Sequence, residues 1–326
     1  MIGNQDIRTR ITRLVKSQQL HHCLLFEGAK GVGKHLHAIW LAKLINCTGE
    51  GVSPCNSCWS CETIDRGEHP DVFLVGYDPT KTAKIISVKQ ARDVISRIQT
   101  HPFRARKRVV IIDPAEAMRV ETANAFLKTF EEPPSSTMFV LICSAAAQLL
   151  PTIRSRAQRI RFRPVLREEL KNWYQQEFQG TLSDSICLLS EGAPGQVIQQ
   201  IEHNEEWNIL RKEFLDVLRS GNQDQLAWIS SFCAGNKQEW LSRFWLLLDL
   251  LRTLVRDWCI LALKGTQDLY HADIKEELGR FILNVFYLSE IDDYIEQIQV
   301  DMNIHVQPKL MLEGLFSLMY KRLVRG

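Results

Sequence analysis

The fold follows from one stretch of sequence, HCLLFEGAKGVGK, residues 22–34. Its first part, His22–Phe26, is a short apolar run that predicts a buried strand. The remainder matches the pattern G-x-x-x-x-G-K from Gly28 to Lys34. Apolar residues at helical spacing then predict a helix from Gly33 to about Asn46. A strand, a glycine-rich turn and a helix in this order are typical of a phosphate-binding loop in an α/β protein.

Further strands alternate with helices after this loop. Apolar runs predict strands at Val72–Val75, Val109–Ile112 and Met138–Cys143, and an edge segment at Gln158–Phe162. Ser87 is the predicted N-cap of one intervening helix, and Pro133-Pro134 ends another. This alternation over residues 20–163 predicts a parallel sheet with helices on its faces.

The strand signals stop after Pro164. Short helical segments follow to about residue 205, and longer helices fill the rest, ending in a helix from about Pro308 to Leu323 with apolar residues on several faces. The chain is therefore expected to divide into an α/β domain (1–164), a small helical domain (165–205) and an all-α domain (206–326).

Composition limits the function classes. The 326 residues carry a net charge of only +2, so a nucleic-acid surface would have to be a local patch. The longest apolar stretch, Phe244–Leu263, contains four charged residues, which predicts a buried helix and no membrane association. The N-terminus has no apolar signal sequence, and five of the nine cysteines are scattered among apolar residues. These features indicate the reducing cytoplasm.

The phosphate loop departs from the pattern of a hydrolytic site. Its candidate ligands are the backbone at Gly28, Gly31 and Gly33, the side chain of Lys34, and the magnesium-associated carboxylate Asp113 at the end of a strand.

Two neighbours of these ligands are unsuited to hydrolysis. His35 stands where a serine or threonine hydroxyl holds Mg²⁺, and Pro114 stands where a glutamate polarises the attacking water. Glu116 is three residues beyond Asp113 and is expected to point elsewhere. ATP is a candidate ligand that these losses disfavour.

Four cysteines form a cluster between residues 47 and 61, spaced Cys47-x7-Cys55-x2-Cys58-x2-Cys61. Four thiolates at short spacing suit a closed tetrahedral Zn²⁺ site of structural type. Iron–sulfur ligation and a disulfide are the alternatives. The intervening residues include almost no lysine or arginine, which favours a structural role over nucleic-acid recognition.

Two basic segments are candidate phosphate contacts. The turn Thr152–Arg156 follows a predicted buried strand, and an arginine on such a turn can reach a neighbouring subunit's phosphate site. Spacing alone favours an ordinary solvated turn. The second segment, Arg104–Arg108, is expected to be an exposed loop, because no aromatic stacking platform accompanies it.

Several motifs together resemble the clamp-loader subunits of bacterial DNA polymerase III. They are Gly28–Lys34, the four cysteines after the next helix, Gly67–Asp71, Ala123–Pro134 and Leu149–Arg156. The resemblance covers residues 1 to about 200. It is stronger to the delta prime type than to the gamma/tau type, because His35, Pro114 and the arginine-free segment Gly192–Gly195 replace hydrolytic residues.

The resemblance implies an AAA+ domain, a helical lid (165–205) and a collar (206–326). It implies that Arg156, in Ser155-Arg156-Ala157, is an arginine finger acting on ATP held by a gamma/tau subunit. The implied partners are gamma/tau, delta and the sliding clamp, with primed DNA reached through the complex. The chain would belong to a DNA-directed DNA polymerase holoenzyme without being an active ATPase. An active gamma/tau-type ATPase and a zinc-bearing nucleic-acid module are the alternatives.

Overall fold

A computed structural model describes residues 1–77, 85–220, 222–234, 236–265, 268–281, 284–301 and 307–324. The chain forms two compact units. One comprises Met1–Thr181 with Glu191–Gln196, and the other comprises Leu182–Ser190 with Val197–Gly326. The three-part division expected from the sequence stays a prediction.

A five-stranded sheet forms the centre of the first unit. Its strands are β1 (Cys23–Glu27), β2 (Val72–Val75), β3 (Arg108–Ile112), β4 (Thr137–Cys143) and β5 (Gln158–Arg161). Their order is β2-β3-β4-β1-β5, and every neighbouring pair is parallel. Both central strands β3 and β4 are buried along their whole length, as expected for a sheet covered on both faces. The predicted parallel sheet is confirmed, and the predicted edge segment is its edge strand β5.

Helices cover both faces of this sheet. They are α1 (Gln5–Lys16), α2 (Lys34–Asn46), α3 (Trp59–Asp65), α4 (Val88–Ile98), α5 (Val120–Glu131) and α6 (Pro151–Arg154), and α7 (Arg167–Phe178) follows β5. Ile11 of α1 and Leu41 of α2 pack in one apolar cluster with the sheet, whereas α4 and α5 contribute to a second cluster. The predicted cap of α4 is confirmed, because Ser87 Oγ accepts the backbone N–H of Gln90 in a capping box.

The second unit is helical among its described residues. Its elements are α8 (Asp184–Leu189), α10 (Asn204–Arg219), α11 (Asn222–Phe232), α12 (Lys237–Ala262), α13 (Lys275–Leu278), α14 (Val285–Asp301) and α15 (Pro308–Met319); α9 (Pro194–Glu202) begins in the first unit.

Helix α12 confirms the prediction of a buried helix, because residues from Phe244 to Trp258 recur in the core of this unit. The final helix is regular only to Met319 and continues as a π-helical turn, Tyr320–Val324. No helix within the described ranges is long and apolar enough to cross a membrane.

Candidate functional site

The phosphate loop joins β1 to α2 and depends on glycine. Gly28, Gly31 and Gly33 all have positive φ, at 156°, 83° and 99°. Side chains with a Cβ rarely adopt this conformation. A Cβ on Gly28 would also lie 2.8 Å from the carbonyl oxygen of Phe162. The glycines predicted as phosphate ligands are therefore required by the backbone path of the loop itself.

Lys34 is folded back onto this loop. Its Nζ donates to the carbonyl oxygens of Gly28, at 2.5 Å, and Ala29, at 2.8 Å, and the residue is 6% exposed. Burial lowers the pKa of Lys34, and the negative charges of Asp113 and Glu116 oppose that shift. The two carbonyls use two of the three N–H donors of this ammonium group, which leaves one for a phosphate.

The tip of the loop contacts the start of α9. The backbone N–H of Gly195 donates to the carbonyl oxygen of Gly31 at 2.9 Å. A Cβ on Gly195 would lie 3.0 Å from the Cα of Gly31. The two backbones thus approach too closely for a side chain on either glycine. This contact and those of Lys34 occupy carbonyl oxygens of the loop, whereas a phosphate would bind its N–H groups.

His35 and Asp113 bind each other. His35 Nδ1 lies 2.7 Å from Asp113 Oδ2, although the two residues are far apart in sequence. The ionised carboxylate can only accept, so Nδ1–H is the donor. The imidazole is therefore hydrogen-bonded to the carboxylate that a magnesium site would use. The replacement of the hydroxyl by His35 therefore also accounts for the hydrogen bond that Asp113 accepts.

Glu116, which was expected to point elsewhere, is held by the residue that follows β4. Its Oε1 accepts the backbone N–H of Ser144 at 2.9 Å, and its Oε2 is buried with no hydrogen-bond partner among the described residues. Its charge acts on Lys34 and, after burial, raises the pKa of Tyr77. Sequence spacing could not show this, because the turn after β3 determines the direction of Glu116.

The four cysteines come together in space. The Sγ atoms of Cys47, Cys55, Cys58 and Cys61 all lie within 4.8 Å of one another. A tetrahedral zinc site with Zn–S bonds of about 2.3 Å places its sulfurs about 3.8 Å apart, so the cluster has suitable dimensions.

Two further features of the cluster suit a cation. The backbone N–H groups of Gly49 and Cys55 both donate to Cys47 Sγ at 3.3 Å. Burial raises the pKa of Cys58, but hydrogen bonds from Thr48 and Cys61 outweigh it and lower that pKa to about 6, which favours the thiolate, whereas burial raises the pKa of Cys61 to about 12. The cluster could therefore hold a metal ion.

A buried ion pair adjoins the cysteine module and corrects the expectation for Arg108, the last residue of the basic run. Arg108 is 5% exposed, and its Nε donates to Asp71 Oδ1 at 3.2 Å. Asp71 also accepts the backbone N–H groups of residues 103–105. Arg104 lies over the ring of Trp59, 4.5 Å from its centroid. Arg104, Arg106 and Lys107 are exposed as expected, whereas Arg108 is buried at the start of β3 and Arg104 is accompanied by an aromatic ring.

Arg156 lies just beyond α6 on a part-exposed turn. Its Nε donates to Glu131 Oε1 at 2.6 Å, and its Nη2 contacts the same oxygen. Its Nη1 donates to the carbonyl oxygen of Thr152 at 2.8 Å. The sequence marked Arg156 but missed Glu131, the last residue of α5, because nothing in the spacing links the two.

Known proteins resemble this chain in sequence over half of its length or more. A sequence profile described as "DNA polymerase III, delta subunit" matches residues 3–166, half of the chain. The chain is 28% identical over 317 residues to DNA polymerase III subunit delta' of Bacillus subtilis, covering 92% of each protein. It is 31% identical over 202 residues to subunit tau of Escherichia coli, covering 60% of this chain and only 31% of that protein.

A solved structure is similar in fold over most of the chain. It is a gamma subunit-related protein of DNA polymerase III from Thermotoga maritima, with a TM-score of 0.51 and 16% identity. The match covers 96% of this chain and 98% of the other.

Proposed function

The chain belongs to the DNA polymerase III delta subunit family, among the delta' clamp-loader subunits, and we propose that it is a non-hydrolysing subunit that completes a neighbour's ATP site. The neighbour is a gamma/tau-type subunit, and the reaction it catalyses drives loading of the sliding clamp onto primed DNA. The chain contributes structure and one arginine, and does not turn over ATP by itself.

The hydrogen bond between His35 and Asp113 carries the non-hydrolysing part of this proposal. A P-loop ATPase holds Mg²⁺ through a hydroxyl and a strand-end aspartate. Here the hydroxyl is absent and His35 engages the aspartate at 2.7 Å. Lys34 is engaged as well, with two loop carbonyls. A magnesium nucleotide would therefore have to compete with His35 for Asp113 and with the loop carbonyls for Lys34.

Arg156 is the proposed arginine finger. A guanidinium has five N–H donors, and the contacts with Glu131 and Thr152 use three of them. One donor on each terminal nitrogen is left at the tip, apart from a longer contact of 3.4 Å to Ser155 Oγ. Two such donors suit the oxygens of a transferring phosphoryl group.

Two assays test the proposal. The isolated chain is expected to show no ATP turnover above background, and turnover at the rate of a gamma/tau subunit would favour the active-ATPase alternative. In a complex reconstituted with gamma/tau-type subunits, Arg156→Ala is expected to lower ATP hydrolysis about 10³-fold, the lower range for loss of an arginine finger. An unchanged rate of ATP hydrolysis would show that Arg156 is an ordinary surface residue.

Zn²⁺ is the metal we propose for the cysteine cluster, because four sulfur ligands in a closed site are typical of structural zinc. Cys47, Cys55, Cys58 and Cys61 would hold it, and it would stabilise a loop that has little core of its own. The proposal includes a reducing compartment, the cytoplasm, since oxidation would consume the four thiolates.

The partners are part of the same proposal. Gamma/tau and delta subunits are the expected direct contacts, with the sliding clamp and primed DNA reached through the assembled complex. Residues 165–205 would serve as the helical lid and residues 206–326 as the oligomerisation collar.

A further inference from the structure

Glu131 has a position that its own helix does not explain. It is the last residue of α5, where the carbonyl ends of the helix dipole disfavour a negative charge. Its carboxylate nevertheless forms a two-donor contact with Arg156, and both side chains are part-exposed. A partner in the next structural element therefore accounts for this carboxylate better than helix stability does.

The contact uses one particular edge of the guanidinium. Glu131 Oε1 binds Nε and Nη2, which form the side edge of the fork. Nη1 donates to the carbonyl oxygen of Thr152, and Ser155 Oγ lies 3.4 Å from the same nitrogen. Because Glu131 bridges Nε and Nη2, the second N–H of Nη2 lies at the end of the fork. Both anchors thus restrain the arginine without covering the end that a phosphate would approach.

We propose that Glu131 is a positioning residue that orients the tip of Arg156 towards a nucleoside triphosphate held by the neighbouring subunit. This inference rests on the proposed function of Arg156. An unrestrained arginine would have to lose its side-chain freedom when the phosphoryl group reacts. With Glu131 and Thr152 in place, that loss has already occurred on folding, so the transition state is stabilised at lower entropic cost.

The effect should appear in kcat and not in KM. ATP is held by the neighbour's own phosphate loop, so loss of Glu131 leaves ATP binding unchanged. The reconstituted complex carrying Glu131→Gln is expected to show a kcat about tenfold lower, equivalent to about 1.4 kcal/mol of transition-state stabilisation. Glu132→Gln, which removes the adjacent exposed carboxylate, is the matched control and should retain the wild-type kcat.

A double variant tests whether Glu131 acts through Arg156. Residues that act as one unit are not additive, so adding Glu131→Gln to Arg156→Ala should cause no further loss. Thermal unfolding of the Glu131→Gln chain should match the wild type, because exposed ion pairs add little to stability.

Different failures have different meanings. If Arg156→Ala leaves the complex ATPase unchanged, the proposed function falls and this inference with it. If Arg156→Ala is inactive but Glu131→Gln has a wild-type kcat, only the inference is overturned. A further loss in the double variant, or a raised KM at constant kcat, would likewise contradict positioning by Glu131.

Discussion

His35 alters the phosphate loop at the scale of a single residue. Its ring lies beside Asp113 because α2 begins directly after the loop and β3 ends opposite it. His35 thereby replaces the hydroxyl ligand and also forms a hydrogen bond with the Asp113 carboxylate. Restoring the hydroxyl should reverse both effects together.

We expect His35→Thr to strengthen magnesium-dependent binding of a non-hydrolysable ATP analogue about tenfold. The freed Asp113 carboxylate and the new hydroxyl would then both help to hold Mg²⁺. A tenfold gain in affinity corresponds to about 1.4 kcal/mol, which is a small contribution for two charge-assisted contacts. Titration of a fluorescent analogue with Mg²⁺ and with chelator measures this. Turnover should stay absent, because Pro114 is unchanged.

His35→Ala is the control, because it removes the imidazole from Asp113 without supplying the alcohol. A threonine variant with unchanged affinity would show that the pairing of His35 with Asp113 does not limit nucleotide binding.

At the scale of elements, Asp71 joins the start of β2 to the segment before β3. It accepts three backbone N–H groups and pairs with Arg108, and its side chain is 1% exposed. Burial raises the pKa of Asp71, but the backbone donors and the Arg108 guanidinium outweigh it, so the net pKa is lowered. The sheet edge therefore depends on an ionised carboxylate.

Asp71→Asn should lower the free energy of unfolding by about 3–5 kcal/mol, because it leaves Arg108 buried without a counter-charge. Urea unfolding at neutral pH provides the measurement.

The pKa of Asp71 in the folded chain lies below the unfolded value of about 3.9. The wild-type carboxylate therefore stabilises the fold above that pH, and its contribution is lost as pH falls further. Substitution of the exposed Asp93 in α4 should change stability little; a similarly mild Asp71→Asn would contradict the role assigned to Asp71.

The cysteine module, residues 47–61, should be ordered only when its four cysteines hold a metal ion. Freshly prepared reduced protein is expected to contain one zinc ion per chain, and Cys58→Ser should abolish it. Chelation should expose residues 47–61 to protease while the sheet stays folded. Cys259→Ser, outside the cluster, should keep the metal. If metal-free protein resists protease at residues 47–61 as well as the untreated protein does, the four cysteines are ordinary thiols.

At the scale of the whole molecule, each unit has its own buried polar centre. In the second unit, His271 is 1% exposed; Arg211 donates to its Nδ1, and Thr253 Oγ contacts its Nε2. Asp257 accepts the backbone N–H of His271, and Asp273 pairs with Arg211. Burial and the Arg211 charge lower the pKa of His271 to about 4, against the opposing charge of Asp273.

The second unit should therefore weaken in mild acid. Between about pH 6.5 and pH 4 the unfolded chain binds a proton at this position and the folded chain does not, so stability falls as pH falls. The shift corresponds to at most about 3 kcal/mol. Denaturant unfolding across this range should show the loss, and His271→Gln should reduce the pH dependence. An identical pH profile in the variant would assign the acid sensitivity to other groups.

Local sequence patterns were sufficient for the sheet. The strand Val109–Ile112, the cap Ser87 and the glycines of the loop were predicted because apolar runs, capping side chains and positive-φ positions depend on nearby residues. The cysteine cluster was predictable for the same reason, since its ligands are close in sequence. These features follow from backbone conformation and short-range burial.

Tertiary structure alone decided which polar side chains meet. The pairing of His35 with Asp113 requires α2 and β3 to be neighbours, and that of Arg156 with Glu131 requires α5 to end beside the turn after α6. Arg108 likewise became a buried anchor only through Asp71 on another segment. The sequence by itself determined the α/β class, the loop and the metal-ligand spacing. The partners of the charged side chains depended on packing, because periodicity specifies the face of an element but not the residue opposite it.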